Sequence, residues 1–357
     1  MKLPSFGYSY IAVDKPPVDA STPADATNAV SSKDGTAEKY SRIAIANICT
    51  ALVHLILSLT FLFLRPKMDH GNNNLVRVVS CWDAEIMDAG AEGSDKEIGL
   101  DIRNDFAEIG FKRKNLIQFC VVSFHLLSCL FQGIPSALYI FKFKWFQAYM
   151  HKTIGQNGAQ ILRYIEYTFS APLMIIAIAL SFGILEMYTL IGLAVLTAAC
   201  MQFGLISDIL RVHARDLHQA AQVGSKRTEF SGADFSDMRS ATVQIMWYLH
   251  MVGWVAVSIP WFILMTVYAD LRNNSNDEIC GLTPGDRISK MPGWVDIIAY
   301  GQLILFTMFG LVQAAQIAFS RNSSSATVGV TVEIVFIVLS LTSKALLGAT
   351  IYMSILF

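Results

Sequence analysis

Apolar residues gather into seven long runs, at about 43–64, 117–141, 161–185, 188–210, 243–268, 297–319 and 328–356, with polar stretches between them. Each run exceeds the roughly 20 residues an α-helix needs to cross the hydrocarbon of a bilayer. The pattern predicts an all-α membrane protein, a seven-transmembrane-helix bundle. Residues 1–39 are rich in Ala, Ser, Thr, Asp and Pro. They read as a disordered N-terminal tail, with no apolar run long enough for a signal peptide. Residues 40–357 then form the bundle domain. The connection over 65–114 is far longer than a simple loop and should carry structure of its own. Its Leu75-Val76-Arg77-Val78-Val79 run is β-prone, and 97–111 suits a short surface helix. Either a partner contact or a passive cap over the bundle mouth would use such a loop.

An odd number of spans puts the termini on opposite sides. On the N-terminal side stand fifteen Lys and Arg: five around the tail, four in the second loop and the start of the third span, five in the fourth loop, and Arg321. The other side holds eight in the first loop, accompanied by ten acids, and three in the fifth. The excess favours a cytoplasmic N-terminus and an extracellular C-terminus, with the long first loop outside. Under this topology the loop cysteines Cys81 and Cys280 both lie outside, where a disulfide joining loops one and five is possible. The sequon at Asn273 would be outside and that at Asn322 inside.

Composition agrees with the pattern. Of 357 residues 54% are hydrophobic and 15% charged, the mean hydropathy is +0.46, and the net charge of −1 gives no reason to expect a nucleic-acid partner. The six cysteines contain no C-x-x-C pair, so no metal site is readable. No catalytic constellation stands out either, and the chain is not expected to be an enzyme.

The candidate chemistry lies inside the spans. Lys344 falls well within the seventh, where a lysine costs roughly 2.5–3.5 kcal/mol on insertion scales. A buried amine can condense with an aldehyde to give a Schiff base, and retinal is the aldehyde suited to a membrane pocket. On position alone a snorkelling lysine or one in a water-filled transporter cavity remains open. Ser340 is one turn before Lys344 and Glu333 three turns before, on the same face. In the third span, Arg163, Glu166 and Ser170 share a face and supply an acid for a buried cation, though Arg163 and Glu166 would also suit an interfacial pair. His54 and His125 bring two histidines into spans one and two, which suggests a polar cavity able to accept protons. Trp247, Trp254 and Trp261 recur every seven residues along the fifth span. Such stripes are usually packing, but a polyene needs flat apolar walls, and Trp254 is the preferred one.

Together, His54, Phe124-His125, the run Arg163-Tyr164-Ile165-Glu166-Tyr167-Thr168-Phe169-Ser170, Met201-Gln202-Phe203-Gly204 and Ser340-x-x-x-Lys344 resemble the heliorhodopsin family, with a likeness that covers all seven spans but not the tail. The resemblance implies all-trans-retinal bound covalently to Lys344 as a Schiff base, with Glu166 as counterion. It implies Ser170 and Ser340 in the surrounding hydrogen bonds, and His54 and His125 as inner-cavity groups that hold a released proton. It also implies an inverted orientation with the N-terminus inside, and a homodimer in which the first loop takes part. Glu333 is an extra carboxylate with no role carried over. The expected function is a light-sensing retinal photoreceptor with a slow photocycle, signalling to an unknown downstream partner. Light-gated or light-driven ion transport and a retinal-binding structural protein are the alternatives. Efficient pumping is not expected. The position eleven residues after Glu166, where proton pumps of similar layout keep a donor acid, is Ala177. In addition, His54, His125, Glu166 and Glu333 are expected towards the inner half.

Overall fold

The computed structural model describes residues 23–63, 113–155, 158–184, 186–224, 232–274, 293–319 and 326–356. Among these the chain is helical throughout, without strands. Seven helices are long and apolar enough to cross a membrane: Tyr40–Phe63, Leu116–Ile140, Ile161–Ser181, Met187–His218, Asp237–Arg272, Gly293–Phe319 and Gly329–Tyr352. They reproduce the seven predicted runs, and the chain is an integral multi-pass membrane protein. Inside hydrocarbon every backbone N–H and C=O must be paired within the segment, which is why long apolar runs become helices.

The first span is the later part of α1 (Pro23–Phe63), and the second is α2 (Arg113–Ile140). A short helix α3 (Lys144–Met150) and a π-turn (His151–Gly155) lead to the third span, α4 (Ile161–Ser181). The fourth and fifth spans are α5 (Met187–Gly224) and α6 (Gly232–Asn274). The sixth is built from α7 (Gly293–Asp296), a π-turn (Ile297–Gly301) and α8 (Gln302–Phe319); the seventh is α9 (Ala326–Leu356). Helix α1 begins at Pro23, within the stretch read from composition as a tail. Proline suits the first helical position, where its missing N–H costs nothing, and no later proline interrupts α1. The first loop, the loop cysteines Cys81 and Cys280 and the sequon at Asn322 lie outside the described residues, as does Ser275 of the other sequon. The remaining cysteines, Cys49, Cys120, Cys129 and Cys200, are free thiols.

Helix α4 is the middle of the bundle: 61% of its span is buried, against 22–44% for the others. It packs between α2 and α5, while α5 runs along α6 and α8 along α9. Its end is fixed by chemistry local to the turn. Gly183 adopts φ 89°, the Ile184 N–H donates to the Ala179 carbonyl at 2.9 Å and the Gly183 N–H to Leu180 at 3.2 Å. This is a Schellman stop, which a glycine permits because it has no Cβ to clash. It ends the third span four residues short of the apolar run. Beyond the middle of α4, Ile175, Ala177, Ile178, Ala179 and Leu180 pack into one apolar core with Phe124, Leu193, Leu264, Ile298 and Leu347. Glu166 lies on the other side of that core, towards the start of α4.

Candidate functional site

Lys344 and Glu166 meet. The Lys344 Nζ lies 2.5 Å from Glu166 Oε1, and each side chain is 3% exposed. Two hydroxyls complete the amine's surroundings: Nζ donates to Ser128 Oγ at 2.5 Å and to Ser340 Oγ at 3.1 Å. Ser128 Oγ in turn lies 2.6 Å from Glu166 Oε1, so one carboxylate oxygen accepts from both amine and hydroxyl. The Tyr167 ring flanks the amine, 5.3 Å from Nζ to the ring centroid. Two charges held this deep persist only when paired and hydrogen-bonded, and here both conditions hold.

Ser340 reaches Lys344 because a spacing of four residues stacks side chains on one helical face. Ser128 was not singled out in the sequence. Its only signal is its position three residues after His125, on the same face of α2. Serine is common in membrane helices, so that spacing has little weight until a neighbouring helix is placed.

Arg163 and Glu333 form a second buried pair. Arg163 Nη1 donates to Glu333 Oε2 at 2.8 Å, and the guanidinium lies 3.8 Å over the Phe336 ring. Arg163 therefore pairs across helices, and the interfacial Arg163–Glu166 pair that the spacing left open as an alternative does not form. Glu333 is not brought to the histidines. It sits eleven residues before Lys344 on α9, about 16 Å along the axis.

His54 and His125 do meet, with Nδ1 to Nδ1 at 2.9 Å, so one ring donates while the other accepts. Both are fully buried. Phe61 stacks on His125 at 5.5 Å between centroids, and Phe124 lies against it at 4.7 Å. Their level in the bundle differs from expectation. A Cβ placed on Gly348, one turn beyond Lys344, would come within 2.8 Å of His125 Nε2. The histidines thus lie on the C-terminal side of Lys344 along α9 and Glu333 on the N-terminal side, so these groups do not share one half of the bundle. Glycine at 348 makes the room, and helix-to-helix register decides the level, which periodicity within one helix does not report.

A slot runs from Lys344 between α4, α5, α6, α8 and α9. Its walls include Tyr167, Trp254, Phe306, Phe309 and Phe336, with Ser340 at the amine; Ser170 also lines the slot, but its buried hydroxyl makes no hydrogen bond, so it does not join the amine's surroundings as expected. Its empty volume, including the open mouth, is about 830 Å³. Glycines clear the far part. At Gly204 a Cβ would stand 2.9 Å from the Tyr164 ring, and at Gly310 it would collide with the Trp254 ring. Trp254 is held by its own hydrogen bond, Nε1 to His250 Nε2 at 3.0 Å. Trp261 instead packs in the core against Phe306, and Trp247 is partly exposed beside His250. A long, flat, apolar aldehyde fits this slot, with its reactive carbon at the amine end.

Gln302 is another residue that the sequence left unmarked. Fully buried, it donates from Nε2 to the Ser343 carbonyl at 2.9 Å, fixing helix α8 to the peptide that precedes Lys344. No cluster of metal-ligating side chains occurs among the described residues.

No curated protein matches the chain. A family model described as Heliorhodopsin matches residues 101–356, which include six of the seven spans and both partners of the Lys344–Glu166 pair. With that match over most of its length, seven spans and an aromatic slot ending at a buried lysine, the chain belongs to the heliorhodopsin family of retinal-binding rhodopsins.

Proposed function

We propose that the protein is a light-sensing photoreceptor of heliorhodopsin type in which Lys344 carries all-trans-retinal as a Schiff base and Glu166 is the counterion. The observation that carries this reading is the contact of the buried Lys344 Nζ, which lines the slot, with Glu166 Oε1. Bound retinal supplies absorption of visible light and a double bond that isomerises. The chain's own residues do the rest. Glu166 Oε1 and Ser128 Oγ favour the protonated Lys344 nitrogen, and Ser340 holds it from one turn below. Trp254, pinned by His250, restricts which part of an elongated ligand can turn. Displacement of the Lys344 nitrogen from Glu166 weakens the pair that held the proton, and the buried His54–His125 couple offers a site to receive it. Slow recovery follows if the proton must return through the same buried groups.

The N-terminus is placed in the cytoplasm, the C-terminus outside, and the protein is read as a homodimer that passes its signal to a downstream partner. The basic excess on the N-terminal side supports the orientation. A second reading, ion transport, draws on one feature: polar groups flank Lys344 on both sides, Arg163 and Glu333 on one, the histidines on the other.

The test is reconstitution with all-trans-retinal. Wild type should give a visible band that changes after a flash, and Lys344→Ala should fold with no such band. Glu166→Gln should move the band to longer wavelength, since loss of the anion destabilises the localised ground-state charge more than the delocalised excited state. A band retained unchanged in Lys344→Ala refutes the attachment site, and a colour without flash-induced change refutes the photoreceptor.

A further inference from the structure

The loop between the second and third spans carries Phe141-Lys142-Phe143-Lys144-Trp145, five consecutive exposed residues. Phe141 is 75%, Phe143 47% and Trp145 64% exposed. Their presentation is set by a tight stop to α2. Lys142 adopts φ 59°, the Phe143 N–H donates to Leu138 at 3.1 Å and the Lys142 N–H to Tyr139 at 3.0 Å. These are the two hydrogen bonds of a Schellman motif, here with lysine in the left-handed position. The following helix α3 is seated from beneath: Phe146 and Met150 are buried against Tyr40, Ile43 and Ile337. Its seat keeps the aromatic–lysine segment at the end of the bundle, directly after the second span ends at Ile140.

Charge gives the surface its sign. Lys142, Lys144 and Lys152 are exposed, and the sequence has no Asp or Glu between Glu108 and Glu166. Large aromatics exposed at the edge of a span belong at the headgroup level, where a flat ring meets both hydrocarbon and water. Lysines alternating with them meet the phosphates at the same depth. An acidic protein partner would account for the lysines but would leave three large rings in water before it bound.

We propose that the segment from Phe141 to Lys152 is a docking surface for anionic phospholipid headgroups of the leaflet it faces. The aromatics set its depth and the lysines its preference for negative lipid. The proposal stands apart from retinal and from the photoreceptor reading.

Full-length protein in phosphatidylcholine vesicles, with trace spin-labelled phosphatidylglycerol or phosphatidylcholine, reads the preference directly from the motionally restricted lipid. Wild type should favour the phosphatidylglycerol probe. Lys142→Gln/Lys144→Gln/Lys152→Gln should lose roughly fivefold or more of that preference at low ionic strength, while the corresponding triple Arg variant keeps it. Raising salt on wild type should weaken the preference as well, a measurement independent of whether the Gln variant folds. A preference equal in wild type and the Gln variant, or one insensitive to salt, would overturn the proposal. So would equal losses in the Gln and Arg variants, or binding by a soluble acidic protein that leaves the lipid preference unchanged.

Discussion

The Arg163–Glu333 pair offers a test of the structure that does not depend on the chromophore. Glu333→Gln keeps the shape of the side chain and removes its charge, leaving a guanidinium whose side chain is 6% exposed. Breaking a buried pair from one side costs about 3–5 kcal/mol because the other charge remains unpaired. The Phe336 face, 3.8 Å from the guanidinium, still solvates the stranded charge by up to about 2 kcal/mol as a cation–π contact, so a loss of about 1–3 kcal/mol is expected. Arg163→Met strands the carboxylate and should cost a similar amount. The double variant removes both charges and should lie within about 1 kcal/mol of wild type. The coupling, the sum of the two single losses less that of the double, would then be at least about 1 kcal/mol, roughly fivefold or more in the unfolding equilibrium. Unfolding of the apoprotein in mixed detergent–SDS micelles, followed by helical circular dichroism, measures all four corners. Losses that add to within about 0.5 kcal/mol would refute the pairing and return Glu333 to candidacy as a free proton-handling group.

Further outcomes follow from the slot and its supports. Gly310→Ala should destabilise by about 1–3 kcal/mol and lower pigment yield, because the Trp254 ring occupies the space a Cβ needs and its bond to His250 resists displacement; full yield at the normal rate of retinal uptake would contradict the described seat. Gln302→Leu should cost about 1 kcal/mol and shift the carbonyl stretch of isotope-labelled Ser343 upward, with an unmoved band showing that the bond is absent.

Much of this was legible in the sequence, for a physical reason. The seven spans show because hydrocarbon demands long uninterrupted apolar runs. Lys344 and Glu166 show because an ionisable group there is costly enough to be rare. His54 and His125 were visible on the same ground, and they pair. What was hidden is whatever depends on register between helices. Arg163 has a glutamate on its own helical face, yet it bonds Glu333 on α9, since periodicity sorts faces within a helix and is silent about neighbours. Ser128 and Gln302 are ordinary residues in membrane helices, and only the packed neighbour gives them meaning. The level of the histidines relative to Lys344 was misplaced for the same reason, and Gly348, which sets that level by having no side chain, left no trace that composition could detect.

The level of the histidines bears on transport. With proton-handling groups on both sides of Lys344, a one-sided arrangement no longer explains why a proton should return where it came from, so the barrier has to be found beyond the histidines. On the N-terminal side of Lys344 a polar cavity lined by Asn47, Gln132, Ser136, Arg163, Glu166 and Glu333 extends from the site. On the other side the chain closes. Phe61 and Phe124 cover His125, and beyond them stand Ile175, Ile178, Leu180, Leu264, Ile298 and Leu347, buried and packed as one apolar core. Ala177 is fully buried in that core at the position where a proton donor would be needed, and no ionisable side chain occurs between Ala171 and Phe182. An unpaired charge entering such a region costs at least several kcal/mol, and every 1.4 kcal/mol slows passage about tenfold. In the proposed photoreceptor the histidine couple would then be a dead end, a place where a proton waits and from which it returns. Patch-clamp recordings of cells making the wild-type protein should accordingly show no sustained light-driven current at zero voltage and symmetric pH. Current that appears only under an applied voltage would establish a channel and place water in the apolar core. A steady current at zero voltage that Lys344→Ala abolishes would refute the argument altogether.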